Sequence, residues 1–271
     1  MPMVVPHNPE DGIKIRRETY ATLIKTKWGQ NQPFNNKIHI HDGKRRPTGC
    51  TVTAAVQIFV NTKTPDMNIF GITDSLCTWE RLENIKFGPL FSETEQDYIS
   101  TIFKAVADGV NVKYNFCGSG GTYAKPSSIC KYMKNKAGYN NAQLHGKYNH
   151  DKILEMLKAN KPVFIGAFDS ENWEYGHAWI IDGAILIYGE FFKGDVCTDS
   201  FVQHRWFHCN WGWEGDCDGY YASEIFFTGD SNLRKGIDDD IDECYDYNII
   251  PSTNDNKISF GDDSKSRYFY R

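Results

Sequence analysis

The sequence predicts an α+β fold, in which helices occupy the first part of the chain and strands the second. Up to about residue 160, apolar residues recur at helical spacing, and the clearest stripe is Ile99, Ile102, Phe103 and Val106. From Val163 onward, short runs of β-branched and aromatic residues replace that spacing. A run of helices followed by a run of strands is the α+β pattern, so we expect a helical lobe and a sheet lobe.

Local signals bound the helices. Ser92 and Glu95 match a capping box at the start of this stripe, and the helix is expected to end near Gly109. Pro126 has a fixed φ that suits a first helical turn, so it predicts the start of a further helix. Another helix is expected to end before Pro162.

The strands are predicted from apolar runs between turn residues. They span residues 163–168, 177–181, 185–188, 205–210, 220–222 and 243–249. Asp182 and Gly183 form the turn expected between the second and third of these strands. Residues 189–203 resemble an insertion, and no internal repeat is found.

Cys50 is the candidate nucleophile. Gly49 permits a tight entry into a helix, so Cys50 falls in the first helical turn. Free backbone N–H groups and the helix dipole favour an anion there, which lowers the pKa of a thiol. The backbone N–H of Cys50 can also donate to a developing oxyanion. The alternative is that Cys50 is a small buried apolar residue, as most free cysteines are.

His177 is the candidate base. It opens an apolar run that is predicted as a buried strand, and an imidazole can take the proton of a neighbouring thiol. Asn210 ends another aromatic stretch, and its side-chain oxygen could accept the N–H of an imidazolium, as in Cys-His-Asn sites. Trp211 or Trp213 would cover that bond and exclude water. The alternative is that His177 and both indoles are core residues.

The chain resembles the streptopain family, the bacterial cysteine peptidases with a papain-like fold. The matching segments are those of the oxyanion-hole glutamine, the nucleophile helix, a Gly/Ser-rich loop, the histidine strand and a tryptophan-rich stretch, at residues 28–35, 49–55, 114–128, 176–183 and 208–221. The family's oxyanion-hole glutamine falls on Gln30. Thr51 follows Cys50, which fits streptopain rather than papain proper, and the tail after Phe227 has no clear counterpart.

The resemblance implies a papain-like two-lobe fold with the active site in the cleft between the lobes. The helical lobe, mainly residues 17–160, would carry the nucleophile. The antiparallel sheet lobe, mainly residues 161–271, would carry the histidine. Residues 1–16 would be an N-terminal arm or a residual pro-segment, and residues 17–271 a single catalytic domain.

The resemblance also implies a cysteine endopeptidase that works through a thiolate–imidazolium pair, Cys50 and His177, and an acyl-enzyme thioester. In that family pattern, the side chain of Gln30 and the Cys50 N–H hold the oxyanion. Asn210 would orient His177, and Trp211 would shield their contact. No metal and no cofactor is implied.

The resemblance further implies Gly120, Gly121, Gly176 and Trp213 as substrate-binding residues. In the cleft wall, the small residues of the Gly/Ser-rich loop would leave room for an extended peptide. Two alternatives stay open. One is an amidase or transpeptidase of the same fold that acts on cell-wall peptides, and the other is a non-catalytic binding protein that kept the fold. The joint presence of a nucleophile, a base, an orienting amide and an oxyanion donor argues against a binding protein.

Composition narrows the classes of partner. The 271 residues carry a formal net charge of -5, from 30 basic and 35 acidic residues, so nucleic acid is not an expected partner. No run of 18 apolar residues is present, and the first residues lack the basic start and apolar centre of a signal peptide. A secreted, cell-surface or periplasmic bacterial enzyme is expected, its signal and pro-segment removed; an intracellular protein is the alternative. Expected partners are protein or peptide substrates, the chain's own pro-segment or a proteinaceous inhibitor.

Eight cysteines do not indicate a disulfide scaffold at this length. Cys117 with Cys130, and Cys209 with Cys217, are close enough in sequence to pair, but their spacing does not match a structural zinc site. The acidic run at residues 238–243 lacks the ligand spacing of a calcium loop and is interpreted as a solvated loop.

Overall fold

The structure, a computed structural model, describes residues 12–116, 121–145, 148–168, 176–223, 225–227, 257–259 and 267–270. Within these ranges, five α-helices pack with a large antiparallel sheet. The predicted strand at 243–249 and the acidic run at 238–243 lie outside the described residues.

The helices are numbered in chain order. They are α1 to α5, at Cys50–Thr62, Trp79–Glu83, Glu93–Gly109, Pro126–Asn135 and His150–Lys158. Short 3₁₀ turns lie at Met67–Phe70 and Gly88–Leu90.

The predicted helix ends are confirmed where a local signal defined them. The Ser92 hydroxyl accepts the backbone N–H of Glu95, and the Glu95 carboxylate accepts the backbone N–H of Ser92, which completes the capping box of α3. This helix ends at Gly109, as expected. Pro126 occupies the first turn of α4, where its missing N–H leaves no helical bond unmade.

The strands are β1 to β13, at Gly12–Tyr20, Ile40–His41, Lys44–Arg45, Lys113–Phe116, Gly121–Tyr123, Gln143–His145, Val163–Phe168, Gly176–Lys193, Val196–Asn210, Gly219–Ala222, Ile225–Phe227, Lys257–Ser259 and Arg267–Tyr270. Seven of them form one sheet in the order β10-β9-β8-β7-β13-β6, with β1 also paired to β8. The remaining pairs are β2–β3, β4–β5 and β11–β12, and every pairing among the described strands is antiparallel.

The long strand β8 organises the sheet. Along one edge, its residues 176–181 pair with β7 and its residues 184–192 pair with β1. Along the other edge, β9 pairs with it from Ile180 to Lys193. Residues 189–203, predicted as an insertion, therefore form the outer part of the β8–β9 hairpin. Strand β1 crosses the predicted boundary at residue 16 and pairs with β8 on both sides of it.

The predicted turn at Asp182 and Gly183 is wrong, because both residues continue β8. The strand instead shifts its register against β9 at this point. A Cβ at Gly183 would lie 3.1 Å from the Tyr20 carbonyl oxygen and 3.3 Å from the His208 Cβ, so a glycine lets neighbouring segments approach. The buried Asp182 carboxylate accepts the Ile24 N–H at 2.9 Å. Tertiary contacts thus override the local turn preference of this pair.

The register shift changes which residues of β8 face the sheet-side cluster, the apolar core that packs α5 against β7, β8 and β9. Before the shift, Trp179 and Ile181 belong to that cluster, whereas Ala184 and Leu186 belong to it afterwards. Odd-numbered positions therefore face this core in the first half of the strand and even-numbered positions in the second.

Two apolar clusters lie on either side of this sheet. The helical cluster surrounds α1, whose residues 51–60 are all buried. The sheet-side cluster packs α5 against β7, β8 and β9. In β8, Ala178 and Ile180 face the helical cluster while Trp179 and Ile181 face the other. The start of α1 is thereby held against the start of β8.

Candidate active site

Gly49 fixes the start of α1. Its φ of 97° is one that residues with a side chain rarely adopt, and a Cβ there would lie 2.8 Å from the Thr122 hydroxyl oxygen. The carbonyl of Gly49 accepts the N–H of Thr53 at 3.1 Å, so the helix begins at Cys50, as predicted. Cys50 is half-buried at this helix start, close to β5.

The Cys50 thiol lies beside His177. Its Sγ accepts the backbone N–H of Ala178, the residue after His177, at 3.3 Å. Burial raises the pKa of Cys50, but the charge and hydrogen bond of His177, with the N–H groups of Ala178 and Thr51, outweigh it and lower the pKa overall. The site therefore favours a thiolate.

Other thiols in the described part of the chain differ from Cys50 in this respect. Burial raises the pKa of Cys77 to about 11 and also raises that of Cys130. Burial, reinforced by the charge of Asp182, raises the pKa of Cys209 well above its usual value. Cys130 and Cys209 are free thiols, so the pairing of Cys209 with Cys217 is not formed, and Cys117 lies outside the described residues.

His177 is held by a backbone group. Its Nε2 lies 2.9 Å from the carbonyl oxygen of Trp211, which leaves Nδ1 as the ring nitrogen for Cys50. The predicted bond from His177 to the Asn210 side chain is not the one that the structure forms. The reason is that the buried Asn210 amide is engaged elsewhere: its oxygen accepts from Gln57 at 2.9 Å and from the Gly212 N–H at 3.2 Å.

The N–H of Trp211 is also fixed. It donates to the Asp218 carboxylate at 2.9 Å. Burial raises the pKa of Asp218 to about 6, although the Trp211 N–H and the neighbouring His208 and Lys27 act to lower it. His208 in turn lies 2.6 Å from the buried Asp182 carboxylate. Asp218 thus holds the N–H of Trp211, and the carbonyl of the same residue holds the imidazole.

Three indole rings surround His177. The ring of Trp213 lies 4.5 Å from the imidazole, that of Trp211 at 5.6 Å and that of Trp179 at 6.3 Å, measured between ring centroids. Trp179 and Trp211 are fully buried, and Trp213 is half-buried. These rings exclude water from one face of the imidazole. The sequence analysis expected Trp211 and Trp213 in this role, but not Trp179.

Cys50 and His177 both line an open cleft. Its walls come from α1 at Cys50 and Thr51, from residues 122–124 and 126, from β7 at Gly166 and Ala167, and from β8 at residues 176–178. Of the predicted substrate-binding residues, Gly176 lines the cleft and Gly121 directly precedes the wall at residue 122, while Gly120 lies outside the described residues. The resemblance of residues 114–128 to a loop beside the cleft predicted that this part of the chain, which includes residues 122–126, forms a cleft wall.

Gln30 lies on a loop against the start of α1. Its carbonyl accepts the N–H of Thr48 at 2.9 Å, two residues before Cys50. On the same loop, the carbonyl of Gly29 accepts the hydroxyl of Thr53, in the first turn of α1, at 3.2 Å. These contacts hold the loop that carries Gln30 against the start of α1.

Neither a metal site nor a membrane span is found in the part of the chain that the structure describes. Within it, no group of three or more His, Cys, Asp or Glu side chains could hold a metal ion. No helix in the same residues is long and apolar enough to cross a membrane.

The Peptidase C10 family matches residues 28–221, which include Gln30, Cys50, His177 and Asn210. The chain belongs to the Peptidase C10 family. Its resemblance to the streptopain family is thereby confirmed.

Two relatives of this C10 chain are bacterial proteins. The thiol protease/hemagglutinin PrtT of Porphyromonas gingivalis is 25% identical over 233 residues, which cover 77% of this chain and 24% of that protein. Streptopain of Streptococcus pyogenes is 25% identical over 247 residues, which cover 77% of this chain and 56% of that protein. The C10 chain thus spans about a quarter and about half of these relatives.

Solved structures match the fold of the C10 chain. Active wild-type interpain A cysteine protease of Prevotella intermedia superposes with a TM-score of 0.61 at 18% identity, over 93% of this chain and 94% of that one. A prointerpain A fragment from the same organism gives a TM-score of 0.57 at 20% identity, over 93% of this chain and 71% of that one. The predicted α+β, papain-like fold is confirmed.

Proposed function

We propose that the protein is a cysteine endopeptidase in which Cys50 is the nucleophile and His177 its acid–base partner. The observation that supports this most directly is the placement of the Cys50 thiol at the start of α1, where its Sγ accepts the N–H of Ala178 next to His177 and both Cys50 and His177 line an open cleft. The lowered pKa of Cys50 and the raised pKa values of the buried thiols single out this cysteine for attack.

The reaction follows from this pair. The Cys50 thiolate attacks the scissile carbonyl, and the carbonyl oxygen becomes an oxyanion. The intermediate collapses when the C–N bond breaks and imidazolium Nδ1 of His177 gives its proton to the leaving amine. Water then attacks the thioester while neutral His177 takes a proton from it. The second oxyanion collapses as the C–S bond breaks and the acid leaves. Cys50 is then again a thiolate, and His177, which keeps the proton taken from water, is again an imidazolium.

The oxyanion would be stabilised by the side-chain amide of Gln30 and by the backbone N–H of Cys50. The N–H groups of a first helical turn have no intrahelical acceptor, so that of Cys50 can donate to substrate. Contacts of the Gln30 loop with Thr48 and Thr53 support a position of this loop beside the same helix start.

The groups around His177 would keep it in place during turnover. The Trp211 carbonyl holds Nε2, so Nδ1 stays directed at the thiol. We propose that Asn210 orients His177 indirectly, since its side-chain oxygen holds the Gly212 N–H in the turn that follows Trp211. The ring of Trp213 would shield the imidazole and border the bound peptide.

We propose that the substrates are proteins or peptides bound in extended form. Small residues at Gly166 and Gly176 leave backbone room along the cleft, and Gly121 directly precedes its wall at residue 122. Gly120 is proposed as a further substrate-binding residue. As a further part of this function, we propose action outside the cytoplasm and control by a pro-segment or a proteinaceous inhibitor. The likeness to a prointerpain A fragment supports the first of these two kinds of control.

The test is a cleavage profile on a peptide library, with Cys50→Ala as the control. Wild-type protein should cut within peptides, and Cys50→Ala should reduce turnover to background while its fold, followed by circular dichroism, is unchanged. Iodoacetamide should label Cys50 before Cys77, Cys130 and Cys209, because their pKa values are raised. Turnover that persists in Cys50→Ala would refute the assignment. Amide release or transfer without internal cleavage would favour an amidase or transpeptidase.

A further inference from the structure

A buried amide on the nucleophile helix has no part in the chemistry described above. Gln57 lies two turns after Cys50 on α1 and is 0% exposed. Its side-chain oxygen accepts the Thr26 hydroxyl at 2.9 Å and the Trp28 N–H at 3.2 Å. Its side-chain nitrogen donates to the oxygen of Asn210 at 2.9 Å. A buried amide with partners on both of its ends is fixed in position and orientation.

Asn210 completes this pair of amides. It is 3% exposed, and its nitrogen donates to the Thr26 carbonyl at 2.9 Å. Its oxygen receives the Gly212 N–H at 3.2 Å in addition to the Gln57 amide. The two side chains therefore join three separate stretches of chain by directional bonds.

Each of these stretches carries a different part of the proposed chemistry. The stretch at residues 26–30 carries Gln30, and α1 carries Cys50. The turn at residues 210–213 carries the Trp211 carbonyl that holds His177. Gln57 is bonded to the first stretch, lies on the second and is linked to the third through Asn210.

Contacts outside the amide pair show how closely the three stretches fit. A Cβ at Gly212, whose φ is 70°, would lie 3.0 Å from the Thr53 side chain on α1. A Cβ at Gly29 would lie 2.6 Å from the Glu214 side chain, beyond the turn. Apolar and glycine contacts of this kind allow small sliding movements, whereas the amide bonds set one register.

We propose that Gln57 is a positioning residue, whose amide sets the relative placement of Gln30, Cys50 and the Trp211 carbonyl for catalysis. This inference rests on the proposed function. An apolar side chain of the same size would leave groups of Thr26, Trp28 and Asn210 without their partner. The stretches could then shift by fractions of an ångström while the core stays closed, and a displacement of about 1 Å can cost about 100-fold in rate.

The experiment compares Gln57→Met with Ser100→Ala, a control at another buried polar side chain on α3. For both variants, kcat and KM are measured on a peptide substrate, and the pH dependence of Cys50 alkylation is recorded. For Gln57→Met, kcat should fall about 10- to 100-fold with KM within about twofold of wild type. The alkylation midpoint should move to higher pH, because His177 no longer stays beside the thiol. Ser100→Ala, if folded, should keep the wild-type kcat, KM and alkylation midpoint.

A conservative variant and a milder one sharpen the test. Gln57→Glu has the same shape and, once protonated, can both accept and donate, so its kcat relative to Gln57→Met should rise toward acidic pH. If Gln57→Met does not fold, Thr26→Val removes only one partner of Gln57 and should lower kcat a few-fold, again at constant KM. A folded Gln57→Met or Thr26→Val with the kcat and alkylation profile of wild type would overturn the inference. Failure of the proposed function would instead appear as turnover in Cys50→Ala.

Discussion

Replacing Asp218 by asparagine isolates the cost of a buried charge beneath the His177 site. The amide introduced by Asp218→Asn would keep an oxygen that accepts the Trp211 N–H, so Trp211, whose carbonyl holds His177, stays in place. The change would replace the second carboxylate oxygen by an amide nitrogen and remove the ability to ionise. Peptidase activity near neutral pH should therefore change little, while the pH dependence of stability should change in a defined direction.

The magnitude follows from the raised pKa of Asp218. In the folded chain this carboxyl has a pKa of about 6 instead of 3.8, and the difference corresponds to about 3 kcal/mol. Between these two values the folded state binds more protons than the unfolded state, so the unfolding free energy falls as the pH rises. The unfolding free energy of the wild-type chain falls by up to about 3 kcal/mol across this window, and that of Asp218→Asn lacks this fall. The variant should gain that amount relative to wild type between about pH 4 and pH 7.

Urea unfolding, followed by tryptophan fluorescence at each pH, measures this difference. Both chains carry Cys50→Ala, which prevents self-digestion. Asp74→Asn is the control with the opposite sign, because hydrogen bonds from the Tyr98 hydroxyl and the Leu76 N–H lower the pKa of the exposed Asp74. That carboxylate stabilises the fold above its ordinary pKa and loses this contribution as the pH falls. A stability difference for Asp218→Asn that is flat with pH, or that follows the Asp74→Asn trend, would refute the reasoning.

Three further changes test the site itself. Gly49→Ala should lower the unfolding free energy, measured in urea, by about 1–3 kcal/mol, because residues with a side chain rarely adopt this φ and a Cβ would contact Thr122. Wild-type stability would contradict this expectation. His177→Ala should be about as damaging to kcat as loss of Cys50, since the two act as a unit, and added losses in the double variant would argue against a unit. Gln30→Ala should lower kcat about 10²–10³-fold at nearly constant KM, and Gln30→Glu should be at least as damaging, whereas wild-type kcat in Gln30→Ala would remove the oxyanion role.

Local signals explain which parts of the fold could be predicted. The capping box at Ser92 and the proline at Pro126 act within a few residues, so they defined helix starts correctly. Asp182 and Gly183 have equally strong turn preferences, yet both are strand residues. Their partners, Ile24, Tyr20 and His208, lie far away in sequence, and no local pattern reports such contacts.

The candidate site shows the same division. Cys50 and His177 were predictable because their side-chain chemistry and surrounding segments are distinctive. The group that holds His177 was not, because it is the backbone carbonyl of Trp211, and every residue has one. Asn210 carried the chemistry expected of an orienting side chain, but Gln57, 153 residues earlier in the chain, occupies its oxygen. Competition among buried polar groups for partners is settled only in three dimensions.

The register shift at Asp182 and Gly183 separates β8 into two stretches that tolerate change differently. Inserting or deleting one residue at positions 178–181 would exchange the faces of Trp179 and Ala178, and so pull the histidine strand out of phase with α1. The same change at the exposed tip around Gly194 would keep β8 in register with both neighbours, since its pairing with β1 ends at Phe192 and its pairing with β9 at Lys193. In an evolving family, loop length and sequence at this hairpin can therefore vary while the catalytic geometry is inherited unchanged.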